Sequence, residues 1–191
     1  MVELVVSKIM TMTSDKRAHA LILKERYGLR KIIMAVGALE AQAIAFAMRS
    51  VKPARPLTHE LFEKLAKSFC IKLETMVIDR IEDGTFYSIM FFTQETGYAC
   101  FEARASDAIA IALRWNVRIL IRRELLERLC IRDEENGAIS MPITVADEAT
   151  LREAMEDAVK EENYELAMKL KEEIDSRHSG PFKKRNRKDY E

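Results

Sequence analysis

Two short stretches hold most of the side chains in this sequence that could do chemistry. Arg55-Pro56-Leu57-Thr58-His59-Glu60 places an imidazole and a carboxylate just past a proline-stiffened turn, at the expected start of a helix. A helix N-terminus disfavours an imidazolium, so His59 reads there as a neutral proton acceptor. The plainer alternative is a histidine that hydrogen-bonds the preceding loop and orders it. The second stretch, Glu102-Ala103-Arg104-Ala105-Ser106-Asp107, runs from a strand end into another helix start. Two carboxylates and an arginine at such a junction can hold a divalent cation, Mg or Mn, and a phosphate, the combination that activates water against a phosphodiester. The alternative is that Ser106 and Asp107 only cap the helix and Arg104 pairs with a neighbour.

Other familiar site chemistry is missing. The six glycines form no phosphate-cradling loop, and there is no Gly-x-Ser-x-Gly elbow, no His-Glu-x-x-His and no calcium-loop ladder of carboxylates. His19, in an expected strand, and His178, in a charged tail, read as structural or solvated. Cys70, Cys100 and Cys130 are an odd number, far apart and without a metal-ligand spacing, so neither a disulfide framework nor a zinc site is indicated. All three read as buried small hydrophobes.

The elements that must position these stretches follow from periodicity. Residues 2–13, 18–24 and 31–36 are apolar runs expected as strands, and residues 38–48 form a nearly all-apolar, Ala-rich helix ended by Pro53 and Pro56. Leu57, Leu61, Phe62, Leu65 and Phe69 are spaced for a helix over residues 57–69, with Thr58 as its cap. Residues 72–81 and 85–93 read as strands joined by Glu82-Asp83-Gly84, a hairpin turn, followed by a strand at 98–103. Ser106 is placed to cap a helix over 107–114; a strand at 117–121 and a helix at 124–129 complete the body. This order predicts an α+β domain with a mixed or antiparallel sheet and packed Ala-rich helices. Residues 43–49 resemble residues 108–114, a hint of internal duplication, and a shift of two residues that aligns Glu40 with Asp107 fits about as well.

The chain has 191 residues with 31 basic and 31 acidic side chains, room for one principal core and a small appendage. The balance hides an asymmetry: residues 146–175 carry eleven acidic and four basic residues, residues 177–191 two acidic and six basic. The expected organisation is a body at 1–139, a linker at 140–147, a helical hairpin at 148–176 and a basic, disordered tail at 177–191. No stretch reaches the ~20 apolar residues that cross a bilayer, and residues 1–12 are too broken for a secretory signal. A membrane is therefore not an expected partner, and the expected compartment is the cytoplasm. In the hairpin, Leu151, Met155, Ala158 and Val159 make one apolar stripe; Tyr164, Ala167, Met168, Leu170 and Ile174, with Lys171, make another. So short a hairpin is expected to leave a stripe for self-association or a partner. The run from Lys183 to Lys188, with Phe182 and Tyr190 nearby, could grip nucleic-acid phosphates.

Three stretches in order, Arg55-Pro56-Leu57-Thr58-His59-Glu60-Leu61, Asp83-Gly84-Thr85-Phe86-Tyr87 and Arg104-Ala105-Ser106-Asp107-Ala108-Ile109-Ala110, resemble the bifunctional nuclease domain family, departing from its usual pattern at Glu60, Glu102 and Ala105. The resemblance implies an α+β domain, often dimeric or larger, with cleavage of DNA and RNA described in some members. The nuclease hypothesis built on these residues takes His59, Glu60 and Asp107 as catalytic. Arg55, Thr58, Arg104 and Ser106 contact substrate, and Glu60, Glu102 and Asp107 ligate a Mg or Mn ion. Residues 151–174 resemble the UVR motif of excision-repair subunits and some protease regulators, with Leu151, Met155, Tyr164, Leu170 and Ile174 as the partner-binding positions. The competing reading is a non-catalytic oligomeric platform that recruits a repair or protease component through the hairpin.

Overall fold

The computed structural model describes residues 1–11, 18–131, 148–160 and 162–179. Three N-terminal strands, β1 (Val2–Thr11), β2 (Ala18–Glu25) and β3 (Lys31–Gly37), each pair antiparallel with the next. A second antiparallel meander consists of β4 (Lys72–Glu82), β5 (Thr85–Gln94) and β6 (Gly97–Arg104). The β4–β5 turn is Asp83-Gly84, both with positive φ (44° and 70°), the hairpin geometry whose twist matches that of the strands. Four-residue β7 (Arg118–Ile121) joins the meanders, antiparallel to β1 and parallel to β4. The sheet order is β3-β2-β1-β7-β4-β5-β6, and the fold is α+β, as expected.

Each meander runs without a loop into an Ala-rich helix: β3 into α1 (Ala38–Met48) and β6 into α3 (Ala105–Trp115). The two helices pack against each other, with Ile44, Ala108, Ile109, Ala110 and Ala112 almost fully removed from water. Small side chains let the backbones approach closely, while Leu21, Leu23, Ile32, Met76, Ile78 and Ile121 from the sheet fill the layer beneath. Each such Leu or Ile contributes about 1.5–3 kcal/mol through burial. The strand-to-helix junctions select one register of the internal similarity. Gly37, Ala38 and Glu40 stand in β3–α1 where Arg104, Ala105 and Asp107 stand in β6–α3, so Glu40 corresponds to Asp107.

Helix α2 (Thr58–Ser68) follows α1, and α4 (Arg123–Leu129) closes the body. Helices α5 (Glu148–Lys160) and α6 (Tyr164–Ser179) form the expected hairpin, broken at Glu162-Asn163. Helix α6 runs to Ser179, three residues into the stretch read as tail. The expected linker and the basic run at 183–188 lie outside the described residues. Asp83 Oδ1 accepts hydrogen bonds from the Glu148 backbone N–H at 3.2 Å and from Arg177 Nη1 at 3.4 Å, which ties both ends of the hairpin to the β4–β5 turn.

Three local expectations are corrected. Thr58 is the first helical residue and caps nothing through its hydroxyl; the N-cap is Leu57, whose N–H donates to the Glu60 carboxylate at 3.1 Å. Ser106 is not a cap either: α3 starts one residue earlier, behind extended Arg104, and Ser106 is buried within the first turn. The cysteines are unpaired, but none is fully buried, and Cys70 is exposed because the chain turns there with φ of 56° to leave α2.

Candidate functional site

Helix α2 starts where Pro56 and extended Leu57 turn the chain, and the reach of Glu60 back to the Leu57 N–H fixes that turn. Helix α3 starts where β6 ends. The packing of α2 on α3 brings the two first turns together, although they are far apart in sequence. His59 Nε2 and Asp107 Oδ1 are 3.3 Å apart, with the imidazole largely enclosed and the carboxylate partly open to solvent.

This contact has electrostatic consequences. The His59 hydrogen bond, opposed by partial burial and helped by the charge of Arg104, holds the Asp107 carboxyl below the usual carboxylate range. Ionised Asp107 can only accept, so Nε2 carries the proton and Nδ1 is the basic nitrogen of the neutral ring. Among the described residues, Nδ1 of His59 has no hydrogen-bond partner.

A second pair backs the first. Arg114, on α3 two turns beyond Asp107, donates to Glu60 Oε1 through both Nε (2.8 Å) and Nη2, and through Nη1 to the Ala110 carbonyl at 2.7 Å. Burial raises the Glu60 carboxyl, but the hydrogen bond and charge of Arg114 outweigh that, so the group lies below its ordinary value. Sequence reasoning missed Arg114 as a partner. The available signal was its seven-residue spacing from Asp107, which puts both on one face of α3.

The other expected site residues fall as follows. Arg104 Nη1 donates to Glu40 Oε1 at 3.1 Å and remains more than half exposed, its charge felt by Asp107. Arg55 and Thr58 are exposed at the entry to α2. Glu102 does not join the His59–Asp107 cluster. It pairs at 2.8 Å with Arg80, whose guanidinium lies 4.5 Å from the centre of the Tyr87 ring and also binds Glu82. Next to this network, Asp79 is the extra residue at an irregularity in the β4–β5 register; its buried carboxylate accepts from Arg122.

The expected cation ligands therefore do not fit a resident metal. Glu60, Glu102 and Asp107 bind Arg114, Arg80 and His59 respectively, and among the described residues no three His, Cys, Asp or Glu side chains are grouped to hold an ion. The hairpin positions also divide. Leu151, Leu170 and Ile174 close on Ala158 and Ala167 in an apolar cluster of the hairpin's own, with Met155 packed at its margin, while Tyr164, Val159 and Met168 are exposed. The hairpin thus covers part of both stripes with its own two helices and leaves Val159, Tyr164 and Met168 exposed.

Fold and site together define a mixed-sheet α+β domain with a His-Asp pair between two helix starts and a C-terminal helical hairpin. Residues 21–134 match the family model of the bifunctional nuclease domain, and residues 149–176 match the UvrB/uvrC motif. The chain belongs to the bifunctional nuclease domain family and carries a UvrB/uvrC motif behind that domain. It is similar, at 34% identity over 165 residues, to uncharacterized protein MT1877 of Mycobacterium tuberculosis strain CDC 1551 / Oshkosh. It is equally similar to uncharacterized protein Rv1829 of strain ATCC 25618 / H37Rv, and each match spans 85% of this chain and 87% of the relative. Among the described residues, no helix is long and apolar enough to cross a membrane.

Proposed function

We propose that this chain is a nuclease acting on the phosphodiester bonds of DNA and RNA where the first turns of α2 and α3 meet. The observation that supports this reading best is the 3.3 Å contact between His59 and Asp107, which joins two motifs separated in sequence. Asp107 orients the ring, and Nδ1 takes the proton from an attacking hydroxyl or water. Arg104 and Arg55 meet the phosphate, and Glu60 holds the α2 turn through Leu57 and Arg114. No step is assigned to a cation, because the carboxylates do not fit one. Dependence on Mg or Mn remains the expectation drawn from the carboxylates at residues 102–107, and the chelator comparison below tests it. The hairpin serves protein–protein contact, through exposed Tyr164, Met168 and Val159.

A second reading, a non-catalytic platform, draws on the fact that the same ion pairs staple α2 to α3. Cleavage of labelled single- and double-stranded DNA and RNA separates the two, using wild type, His59→Ala and Asp107→Ala with magnesium, manganese or chelator. The nuclease reading expects cleavage that falls by about a hundredfold or more in folded His59→Ala. Cleavage equal in all three proteins would move the chemistry elsewhere, and none in any would favour the platform.

A further inference from the structure

Helix α2 is amphipathic, yet most of its apolar arc faces water. Of that arc only Ala66 is buried, while Leu61, Leu65 and Phe69 are 61%, 56% and 62% exposed. At the margin of the arc, Phe62 meets Trp115 and Phe92 edge to face at 5.9 and 6.2 Å, and Phe92 meets Phe101 of β6 at 5.9 Å. Phe62 and Phe101 are themselves exposed, so rings braced from behind still present area to water. Gln94 Nε2 donates to the Phe69 carbonyl at 3.1 Å, which ties the far end of α2 to the end of β5.

The segment that carries this face is basic. Residues 51–72 hold five Lys or Arg against two Glu. Both carboxylates are taken up in pairs of the fold's own, Glu60 with Arg114 and Glu63 with Lys67. Lys52, Arg55, Lys64 and Lys72 are exposed, and Lys64 lies on the apolar arc itself, three residues after Leu61 and seven after Leu57. A second copy of the chain laid on this face would set two basic segments against each other, whereas a polyanion is complementary to it.

We propose that this face is a track for unpaired nucleotides and makes the chain selective for single-stranded DNA and RNA. Unpaired bases can splay out and stack on exposed rings, which the bases of a duplex cannot do, while Lys and Arg hold the phosphates of either form. Helix α2 runs about 15 Å from His59 to Phe69. A strand laid along it puts bases against Phe62, Phe69 and Phe101, phosphates beside Lys64 and Lys72, and its leading end at Arg55 and His59. Choice of strand form and bond cleavage then belong to different side chains of one helix. Cleavage within the track rests on the nuclease reading; retention of the strand does not.

Fluorescence anisotropy of the full chain with labelled oligothymidine, oligouridine and a matched DNA duplex tests this, each probe being verified intact on a gel after the titration. Phe69→Leu and Phe101→Leu keep the surface apolar while removing the rings, and far-UV circular dichroism verifies that they fold. The expected result is single-strand binding about tenfold or more tighter than duplex binding at equal salt. Either ring substitution should weaken it by about tenfold and leave duplex binding unchanged. Lys64→Gln should weaken both forms and lower the slope of log affinity against log salt by a little under one. Equal affinity for the two forms, or single-strand affinity untouched by both ring substitutions, overturns the proposal; a sedimenting mass that those substitutions lower would then assign the face to protein contact. Selective single-strand binding by a chain that cuts no substrate would remove the nuclease reading and leave the track standing. Cutting that His59→Ala abolishes, with no preference for strand form in rate or binding, would do the reverse.

Discussion

At the residue scale, two carboxylates carry the pH behaviour of the α2–α3 contact. Asp107 and Glu60 both lie below the ordinary range in the folded chain, the first through His59 and the second through Arg114 despite burial. A depressed carboxyl stabilises the fold above its unfolded value, about 4, and the contribution is lost as pH falls through the folded value. Glu60→Gln should therefore destabilise by about 2 kcal/mol at pH 7, since it leaves the enclosed Arg114 unpaired, and should lose less stability than wild type between pH 5 and pH 2. Urea midpoints at pH 7, 5 and 3 check both parts. Asp107→Asn preserves shape while replacing the acceptor-only carboxylate with a neutral amide that can donate as well as accept, so the His59 tautomer is no longer fixed. Cleavage should drop by about a hundredfold, with the thermal midpoint moved much less than by Glu60→Gln. A variant that melts early and cleaves normally would give Asp107 a purely structural role.

At the element scale, the Ala-rich surfaces of α1 and α3 exist to bring backbones close, so bulk is harmful there. Ala110 is fully buried, and Ala110→Leu should cost about 2 kcal/mol through overpacking, visible as a lower thermal midpoint with an unchanged far-UV spectrum. The β4–β5 turn should be sensitive for a different reason. Gly84 has φ of 70°, so Gly84→Ala should destabilise by about 1 kcal/mol, read from chemical denaturation.

The elements themselves were legible in the sequence because their periods are strong: strands and helices begin and end within a few residues of where apolar spacing places them. The His59–Asp107 contact was not, since it depends on how α2 lies across α3, a tertiary fact that spacing does not encode. Glu102 was misplaced for a related reason. Its partner Arg80 follows a register irregularity at Asp79, and one inserted residue changes which side chains share a sheet face.

At the scale of the whole molecule, body and hairpin have separate apolar clusters joined at the Asp83 turn. Leu170→Ala should remove about 2–4 kcal/mol from the hairpin cluster and leave the body unaffected. Hydrogen exchange should show α5 and α6 opening while β4 and β5 stay protected; joint loss of protection would mean the two units unfold as one.

The position of β7 bears on how the chain reaches this state. Each meander can form from neighbouring segments, but the strand that joins them is the last in the sheet and only four residues long. Until residues 118–121 arrive, β1 and β4 are both open edges, and the parallel contact to β4 must close a long loop. During synthesis, two half-sheets with sticky inner borders therefore wait for one short insert. That interval, rather than any weakness of the finished fold, is where this molecule is most exposed to aggregation.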